Sequence, residues 1–232
     1  MPAFQLIIGN KNYSSWSLRP WLLLRKLSVS FEETQVLLQT EDFKQQVMRF
    51  SPVGKVPVLL DGELAIWDSL AIAEYLAEQF PQAWPRDPAA RAFARSISAE
   101  MHSGFMSLRS QMPMNCRATG REIVGDEALA RDIERIQAIW TECRLRYGES
   151  GPWLFGEFTI ADAMFAPVIW RFHSYNVPEH AELSDESRAY LATMLAHPAM
   201  QAWERSALAE TEALAHYDTA ALANFGGVRS VE

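Results

Sequence analysis

Three prolines within eight residues divide this 232-residue sequence into two parts. Pro81, Pro85 and Pro88 cannot all lie inside one helix, because proline lacks the N–H that a helix interior requires. Apolar runs typical of strands occur before these prolines, whereas nothing after residue 88 alternates apolar and polar residues as a half-buried strand does. We therefore predict an α/β domain over residues 1–82 and an all-helical domain over residues 83–232, with its first helix starting near residue 88.

A βαβ unit is predicted at the start of the chain. Apolar runs at residues 3–8 and 34–38 are typical of strands, and residues 18–27 are apolar almost all round, as in a buried helix. Pro20 is compatible with this helix only in its first turn, so Ser17 is the latest N-cap that the sequence allows.

A β-hairpin is predicted next. Apolar runs at residues 56–60 and 63–66 flank Asp61-Gly62, a dipeptide that accepts the positive φ angles of a tight turn. Asp68 follows as the expected N-cap of a helix. The apolar residues that recur at helical spacing after it are Ile72, Tyr75, Leu76 and Phe80. The first 80 residues thus predict the order β-α-β-α-β-β-α.

Helical spacing dominates the rest of the chain. Asp87 and Pro88 are typical of an N-cap followed by the first helical residue. We expect one long helix after them, with the apolar stripe Ile97, Met101, Phe105, Leu108 and Met112. A second helix is expected with the stripe Leu129, Ile133, Ile136, Trp140 and Cys143.

Two further helix boundaries have local signals. Thr159 and Asp162 resemble a capping box, which would open a helix. His197-Pro198 separates two later helices. From about residue 215 onward, the sequence is compatible with either a loop or a packed extension.

The charge balance excludes some partners. The chain has 21 Lys and Arg residues against 29 Asp and Glu residues, a net charge of −8, and no basic cluster is longer than Arg25-Lys26. Such a chain repels a polyanion, so we expect no nucleic-acid partner. No apolar run reaches the roughly 20 residues of a membrane helix, and the N-terminus does not resemble a signal peptide. We expect no membrane partner and a cytoplasmic location.

Cysteine and histidine patterns predict no metal and no disulfide framework. Cys116 and Cys143 form neither a Cys-x-x-Cys motif nor a metal-ligand pattern, and the five histidines have no ligand spacing either.

Four motifs in this order resemble the cytosolic glutathione transferases. They are YSSWSLR at 13–19, GKVP at 54–57, DSLAI at 68–72 and FTIAD at 158–162. The resemblance covers nearly the whole chain and is to the serine-type classes, with a Ser-Ser dipeptide like that of the zeta class. It implies a thioredoxin-like domain that binds glutathione as a co-substrate, a helical domain that contributes the electrophile site, and a homodimer.

The resemblance also implies how glutathione is bound. Pro57 would be cis, which would expose the main chain of Val56 to the cysteinyl part of the peptide. Asp68 would face the γ-glutamyl ammonium, Ser69 would receive its carboxylate, and Lys55 would contact the glycyl carboxylate. Simpler interpretations are that Pro57 starts an edge strand, that Asp68 is only an N-cap and that Lys55 is a solvated charge.

In the serine-using classes, one hydroxyl donates a hydrogen bond to the glutathione sulfur and stabilises the thiolate. Ser14 lies five residues before Arg19, which resembles the spacing of that catalytic serine, and we assign it this role. Ser15 is the alternative donor and a candidate glutathione-binding residue. Tyr13 is a rival, because other classes use tyrosine, and Ser17 is assigned to the helix cap. Both Ser14 and Ser15 could instead only form the turn.

The electrophile site is expected on the first long helix of the second domain, across the cleft from the sulfur. Its candidate residues are His102, Met106 and Arg109, together with Trp16 of the first domain. Trp16 occupies the position of a cysteine in the zeta-class isomerases, which puts isomerisation of maleylacetoacetate-like substrates in doubt.

The sequence therefore predicts a glutathione S-transferase that attaches the thiolate to small apolar electrophiles. The alternatives are a non-catalytic glutathione-binding or adaptor protein of the same fold, and a glutathione-dependent peroxidase or isomerase. Thiol-disulfide exchange is disfavoured, because neither cysteine lies near Ser14 in the sequence.

Overall fold

The computed structural model describes residues 4–121 and 125–219. The first part of the chain contains β1 (Phe4–Ile8), α1 (Ser15–Lys26), β2 (Phe31–Gln35), α2 (Phe43–Val47), β3 (Val58–Asp61), β4 (Leu64–Trp67) and α3 (Ser69–Gln79). A short 3₁₀ turn at Pro81–Ala83 follows. Helices then continue as α4 (Pro88–Ser103), α5 (Met106–Gln111), α6 (Glu127–Tyr147), α7 (Ile160–Ser174), α8 (Val177–His180), α9 (Asp185–Ala196), α10 (Pro198–Ala209) and α11 (Ala215–Thr219). Of the predicted tail, residues 220–232 lie outside the described residues. None of the helices in the described ranges is long and apolar enough to cross a membrane.

The element order of the first part confirms the predicted β-α-β-α-β-β-α arrangement. Its sheet has the strand order β2-β1-β3-β4, with β1 parallel to β2 and β3 antiparallel to both of its neighbours. The hairpin register pairs Asp61 with Leu64, so the two turn residues are Gly62 and Glu63, one position later than predicted. Gly62 has a φ of 58°, which suits glycine at the first position of a two-residue turn.

Helix α1 begins earlier than the sequence predicted. Its N-cap is Ser14, and Pro20 is the sixth helical residue rather than part of the first turn. The Ser17 hydroxyl does not cap the helix, because it accepts a hydrogen bond from the Gly9 N–H at 3.1 Å. The loss of one main-chain bond at Pro20 is tolerated in a helix that is packed along its length between the sheet and α7.

The predicted long helix after residue 88 is two helices. Asp87 caps α4 by accepting the Ala90 N–H at 2.7 Å, as expected, but α4 ends at Ser103. Phe105 has a φ of 60°, and a Cβ on Gly104 would lie 2.9 Å from a carbonyl oxygen of α4. This left-handed residue interrupts the helix, and α5 begins at Met106. The five residues of the predicted stripe are nevertheless all buried.

The capping box at the start of α7 is confirmed. Asp162 is fully buried and accepts hydrogen bonds from the Thr159 N–H at 2.7 Å and the Leu154 N–H at 3.1 Å. It also accepts the Thr159 hydroxyl at 3.2 Å. Burial raises the pKa of the Asp162 carboxyl to about 6, although its hydrogen bonds oppose the shift.

We predict that Asp162→Ala lowers the free energy of unfolding by about 3 kcal/mol, because two buried N–H groups lose their acceptor. The matched control is Asp87→Ala, which removes an exposed cap and should cost about 1 kcal/mol. Urea denaturation of both variants measures the two losses. Equal losses would contradict a special role for the buried carboxylate.

The same measurement has a pH dependence. The Asp162 carboxyl ordinarily titrates near 3.8 but near 6 in the folded chain, so its stabilising contribution is complete at low pH and declines as pH rises through that interval. The loss in Asp162→Ala should therefore be larger at pH 5 than at pH 8.

Candidate functional site

Two adjoining cavities lie between the sheet domain and the helices. The serine cavity has a volume of about 320 Å³ and is lined by Tyr13, Ser14, Ser15, Trp16, Leu38, Phe43, Lys55, Val56, Arg109, Pro113, Arg171 and Tyr217. The aspartate cavity has a volume of about 470 Å³ and is lined by Trp16, Val53, Lys55, Val56, Pro57, Trp67, Asp68, Ser69 and His102. Trp16, Lys55 and Val56 line both cavities, so one elongated ligand can occupy the two.

The aspartate cavity brings together four of the residues expected to bind glutathione: Lys55, Val56, Asp68 and Ser69. The Val56–Pro57 bond is cis, as the resemblance implied. Asp68 caps α3, because its Oδ1 accepts two main-chain N–H groups of the first turn at 2.9 and 3.2 Å. The buried Ser69 hydroxyl has no hydrogen-bond partner in the described part of the chain, which leaves it available to a ligand.

His102 lies in the aspartate cavity rather than beside Ser14. Its Nε2 is 3.2 Å from the Asp68 Oδ2, so Asp68 both caps a helix and contacts the other domain. Burial lowers the pKa of His102 below its ordinary value, and the nearby charges of Arg19 and Arg109 lower it further, while Asp68 opposes them. The imidazole is therefore mainly neutral at pH 7.

Ser14 is held at the N-terminus of α1 by a chain of hydrogen bonds. Its N–H donates to the Asn10 carbonyl at 2.8 Å, and its hydroxyl donates to the Ser17 hydroxyl at 2.7 Å. Ser17 in turn accepts the Gly9 N–H. Ser14 and Ser15 are both buried and both line the serine cavity, and only Ser14 is linked to this chain of bonds.

The Tyr13 hydroxyl is hydrogen-bonded to the C-terminal segment, residues 210–219, although its ring lines the serine cavity. It donates to the Asp218 carboxylate at 2.8 Å and accepts from Arg117 at 2.6 Å and from the Leu214 N–H at 3.2 Å. The ring lies 5.2 Å from that of Tyr217. These bonds argue against Tyr13 as the rival thiol donor.

The C-terminal segment is a part of the site that the sequence did not predict. The Glu210 carboxylate accepts the N–H groups of Lys11 and Asn12 at 2.6 and 3.0 Å, which fixes the turn in front of Ser14. These contacts join residues about 200 positions apart, and no local pattern marks them.

Trp16 lies between two arginines. The guanidinium of Arg19 is 4.2 Å from the ring centre and that of Arg109 is 4.7 Å away, and the imidazole of His102 approaches the ring edge-on at 5.4 Å. Arg109 and Trp16 are the expected electrophile-site residues that the structure places in the serine cavity. Arg171 also lines the serine cavity and was not expected there, because no motif in the sequence of α7 marks it.

Met106 does not line either cavity. Its side chain is 67% exposed, because the break before α5 turns residue 106 toward solvent. The expectation that Met106 contributes to an electrophile site depended on a continuous helix and is not supported.

The two cysteines lie outside both cavities. Cys116 and Cys143 are buried, and burial raises the pKa of the Cys143 thiol. Among the described side chains, no group of three or more His, Cys, Asp or Glu residues could hold a metal ion.

Comparison with known proteins identifies the family. The sequence model of the glutathione S-transferase N-terminal domain matches residues 13–79, and that of the C-terminal domain matches residues 126–206. The chain belongs to the glutathione S-transferase family. It is 34% identical to a probable maleylacetoacetate isomerase of Caenorhabditis elegans over 70% of this chain and 76% of that protein. It is 29% identical to a zeta-class glutathione S-transferase of Euphorbia esula over 67% of this chain and 71% of that protein.

A solved structure supports the same fold for this glutathione S-transferase. A glutathione transferase homologue from Burkholderia, with bound glutathione, superposes with a TM-score of 0.67 at 24% identity, covering 89% of this chain and 98% of that one. The predicted family and fold class are thereby confirmed.

We predict that Tyr13→Phe lowers the free energy of unfolding by about 2 kcal/mol, because one substitution removes a hydroxyl that bonds to Asp218, Arg117 and Leu214. Tyr75→Phe is the matched control: its hydroxyl donates to Asp61 at 2.6 Å on the protein surface, and its loss should cost less than 1 kcal/mol. Urea denaturation compares them. A loss no greater than that of the control would show that Tyr13 does not secure the C-terminal segment.

Proposed function

We propose that this glutathione S-transferase binds glutathione across the two cavities and activates its thiol at Ser14 for attack on a small electrophile. The main support for this proposal is that the two cavities share the lining residues Trp16, Lys55 and Val56. A peptide bound in the aspartate cavity can therefore extend into the serine cavity, where the buried Ser14 hydroxyl lies.

The aspartate cavity has the groups that the γ-glutamyl end requires. Asp68 supplies a carboxylate for the ammonium, and the Ser69 hydroxyl supplies a donor for the carboxylate. The main chain of Val56 can pair with the cysteinyl residue as an added strand would. Lys55 is exposed at the boundary of the cavities, where it can reach the glycyl carboxylate.

This placement brings the sulfur to the serine cavity. A free thiol has a pKa of about 8.5, so only a few per cent is thiolate at pH 7. A hydroxyl that donates to the thiolate lowers this pKa, and each unit corresponds to about 1.4 kcal/mol of preferential stabilisation. In the structure the Ser14 hydroxyl donates to Ser17. When Ser14 donates to sulfur instead, this bond can reverse: the Ser17 hydroxyl donates to the Ser14 oxygen and still accepts the Gly9 N–H. We infer that Ser17 orients the catalytic hydroxyl.

The electrophile then occupies the remainder of the serine cavity. Its apolar wall consists of Leu38, Phe43, Pro113 and Trp16. Holding the thiolate and the electrophile in one cavity converts a bimolecular reaction into an effectively unimolecular one. An isomerase is a second candidate, because a 34% identical relative is named a probable maleylacetoacetate isomerase.

We also propose that the chain forms a homodimer, as the family resemblance implies. Leu64 supports this proposal, since it is a large apolar side chain left 52% exposed on β4, at the edge of the sheet.

We predict that Ser14→Ala raises the pKa of bound glutathione by about one unit and lowers turnover at pH 7 about tenfold, because fewer bound thiols are ionised. Glutathione affinity should change little, since the ends of the peptide are held elsewhere. The thiolate absorbance near 240 nm, followed against pH, measures the pKa, and calorimetry measures the affinity.

Ser15→Ala is the matched control, since Ser15 lines the same cavity without joining the Ser14–Ser17 bond. It should leave the pKa of the bound thiol unchanged. The opposite result, a shift in Ser15→Ala and none in Ser14→Ala, would assign the donor to Ser15.

A further inference from the structure

The serine cavity is lined by two arginines, Arg109 and Arg171, and no carboxylate among the described residues lies within ion-pairing distance of either. Arg109 donates from Nε to the Gly104 carbonyl at 2.9 Å and from Nη2 to the Met101 carbonyl, while its buried Nη1 has no partner in the described ranges. Arg171 is only 4% exposed and donates to two carbonyls, of Met112 at 2.8 Å and of Pro167 at 3.2 Å.

A third arginine, Arg19, lies against Trp16, which lines the serine cavity. Arg19 is 1% exposed and donates from Nε to the Met164 carbonyl at 3.0 Å, and neither of its buried Nη atoms has a partner among the described residues. Within those residues, none of Arg19, Arg109 and Arg171 forms an ion pair with a carboxylate.

Placing these three cations in and beneath one cavity is unfavourable, since each loses hydration and they repel one another. The charges of Asp68 and Asp132 oppose this effect without reversing it, because burial still lowers the pKa of Arg19 and of Arg109. Burial lowers the pKa of Arg171 to about 10, with the charge of Arg109 adding to the shift, so the guanidinium remains a cation at pH 7. Carbonyl oxygens orient these groups but supply only partial negative charge. An anionic ligand in the cavity would supply the missing charge.

We propose that the second substrate of this transferase carries a carboxylate, which Arg109 and Arg171 bind while its apolar electrophilic part lies against Leu38 and Phe43. This inference rests on the proposed function and refines the expectation of a wholly apolar electrophile. Arginine suits the role, because its fork of N–H groups matches the two oxygens of a carboxylate.

The test uses two electrophiles that differ only in charge, 4-chloro-3-nitrobenzoate and its methyl ester. In both, the glutathione thiolate forms a C–S bond at the ring carbon that bears chlorine, the C–Cl bond breaks with its electrons on chloride, and the thiol proton passes to solvent. Each kcat/KM is divided by the rate constant of the uncatalysed reaction with glutathione, which removes the intrinsic difference in reactivity. We expect the acid to be favoured by about tenfold.

Two variants assign the preference to the cavity. Arg109→Met should reduce the ratio of acid to ester toward one, and Arg109→Lys should retain part of it. Arg131→Met removes the same charge from a side chain that is 67% exposed outside the cavity and should leave the ratio unchanged. Inhibition by 3-nitrobenzoate, which has no leaving group, supplies a second readout: it should exceed inhibition by its methyl ester, and only Arg109→Met should abolish the difference.

The outcomes separate this inference from the proposed function. Acceleration of both electrophiles without preference for the acid would overturn the inference and leave the transferase reaction intact. Acceleration of neither would contradict the proposed function. If Arg109→Met instead weakened glutathione binding itself, the arginines would be part of the peptide site and the inference would be wrong.

Discussion

The packing of α1 against α7 determines where the site can form. Helix α1 carries Ser14 at its N-cap and Arg19 on its buried face, and α7 supplies the Met164 carbonyl that receives Arg19. This buried bond joins the sheet domain to the helical domain. Because α7 also carries Arg171, the same packing places an arginine of the second domain in the cavity of a serine from the first.

Local signals predicted most of the fold correctly. The hairpin, the Asp87 cap and the Asp162 capping box each depend on residues within a few positions of one another, and each was confirmed. The start of α1 was predicted wrongly, because the Ser17 hydroxyl bonds to Gly9, just after β1, rather than capping its own helix. The break at Gly104 was missed, since the apolar stripe continues through it in the sequence although the helix ends there.

The site was less accessible to sequence analysis than the fold. Ser14, Asp68 and Ser69 belong to motifs and were named, and the structure places them along two joined cavities. The C-terminal segment and Arg171 contribute to the site through contacts between residues far apart in the sequence, and no spacing rule predicts such contacts. His102 was named for the electrophile site, but its imidazole contacts Asp68 in the aspartate cavity.

The joined cavities are proposed to hold glutathione as a thiolate at neutral pH. The most direct test is a pH titration of the thiolate absorbance of glutathione in the presence of saturating wild-type protein. We expect a midpoint clearly below that of free glutathione, whose thiol has an ordinary pKa of about 8.5. A midpoint unchanged from the free peptide, with binding demonstrated in the same sample, would contradict it.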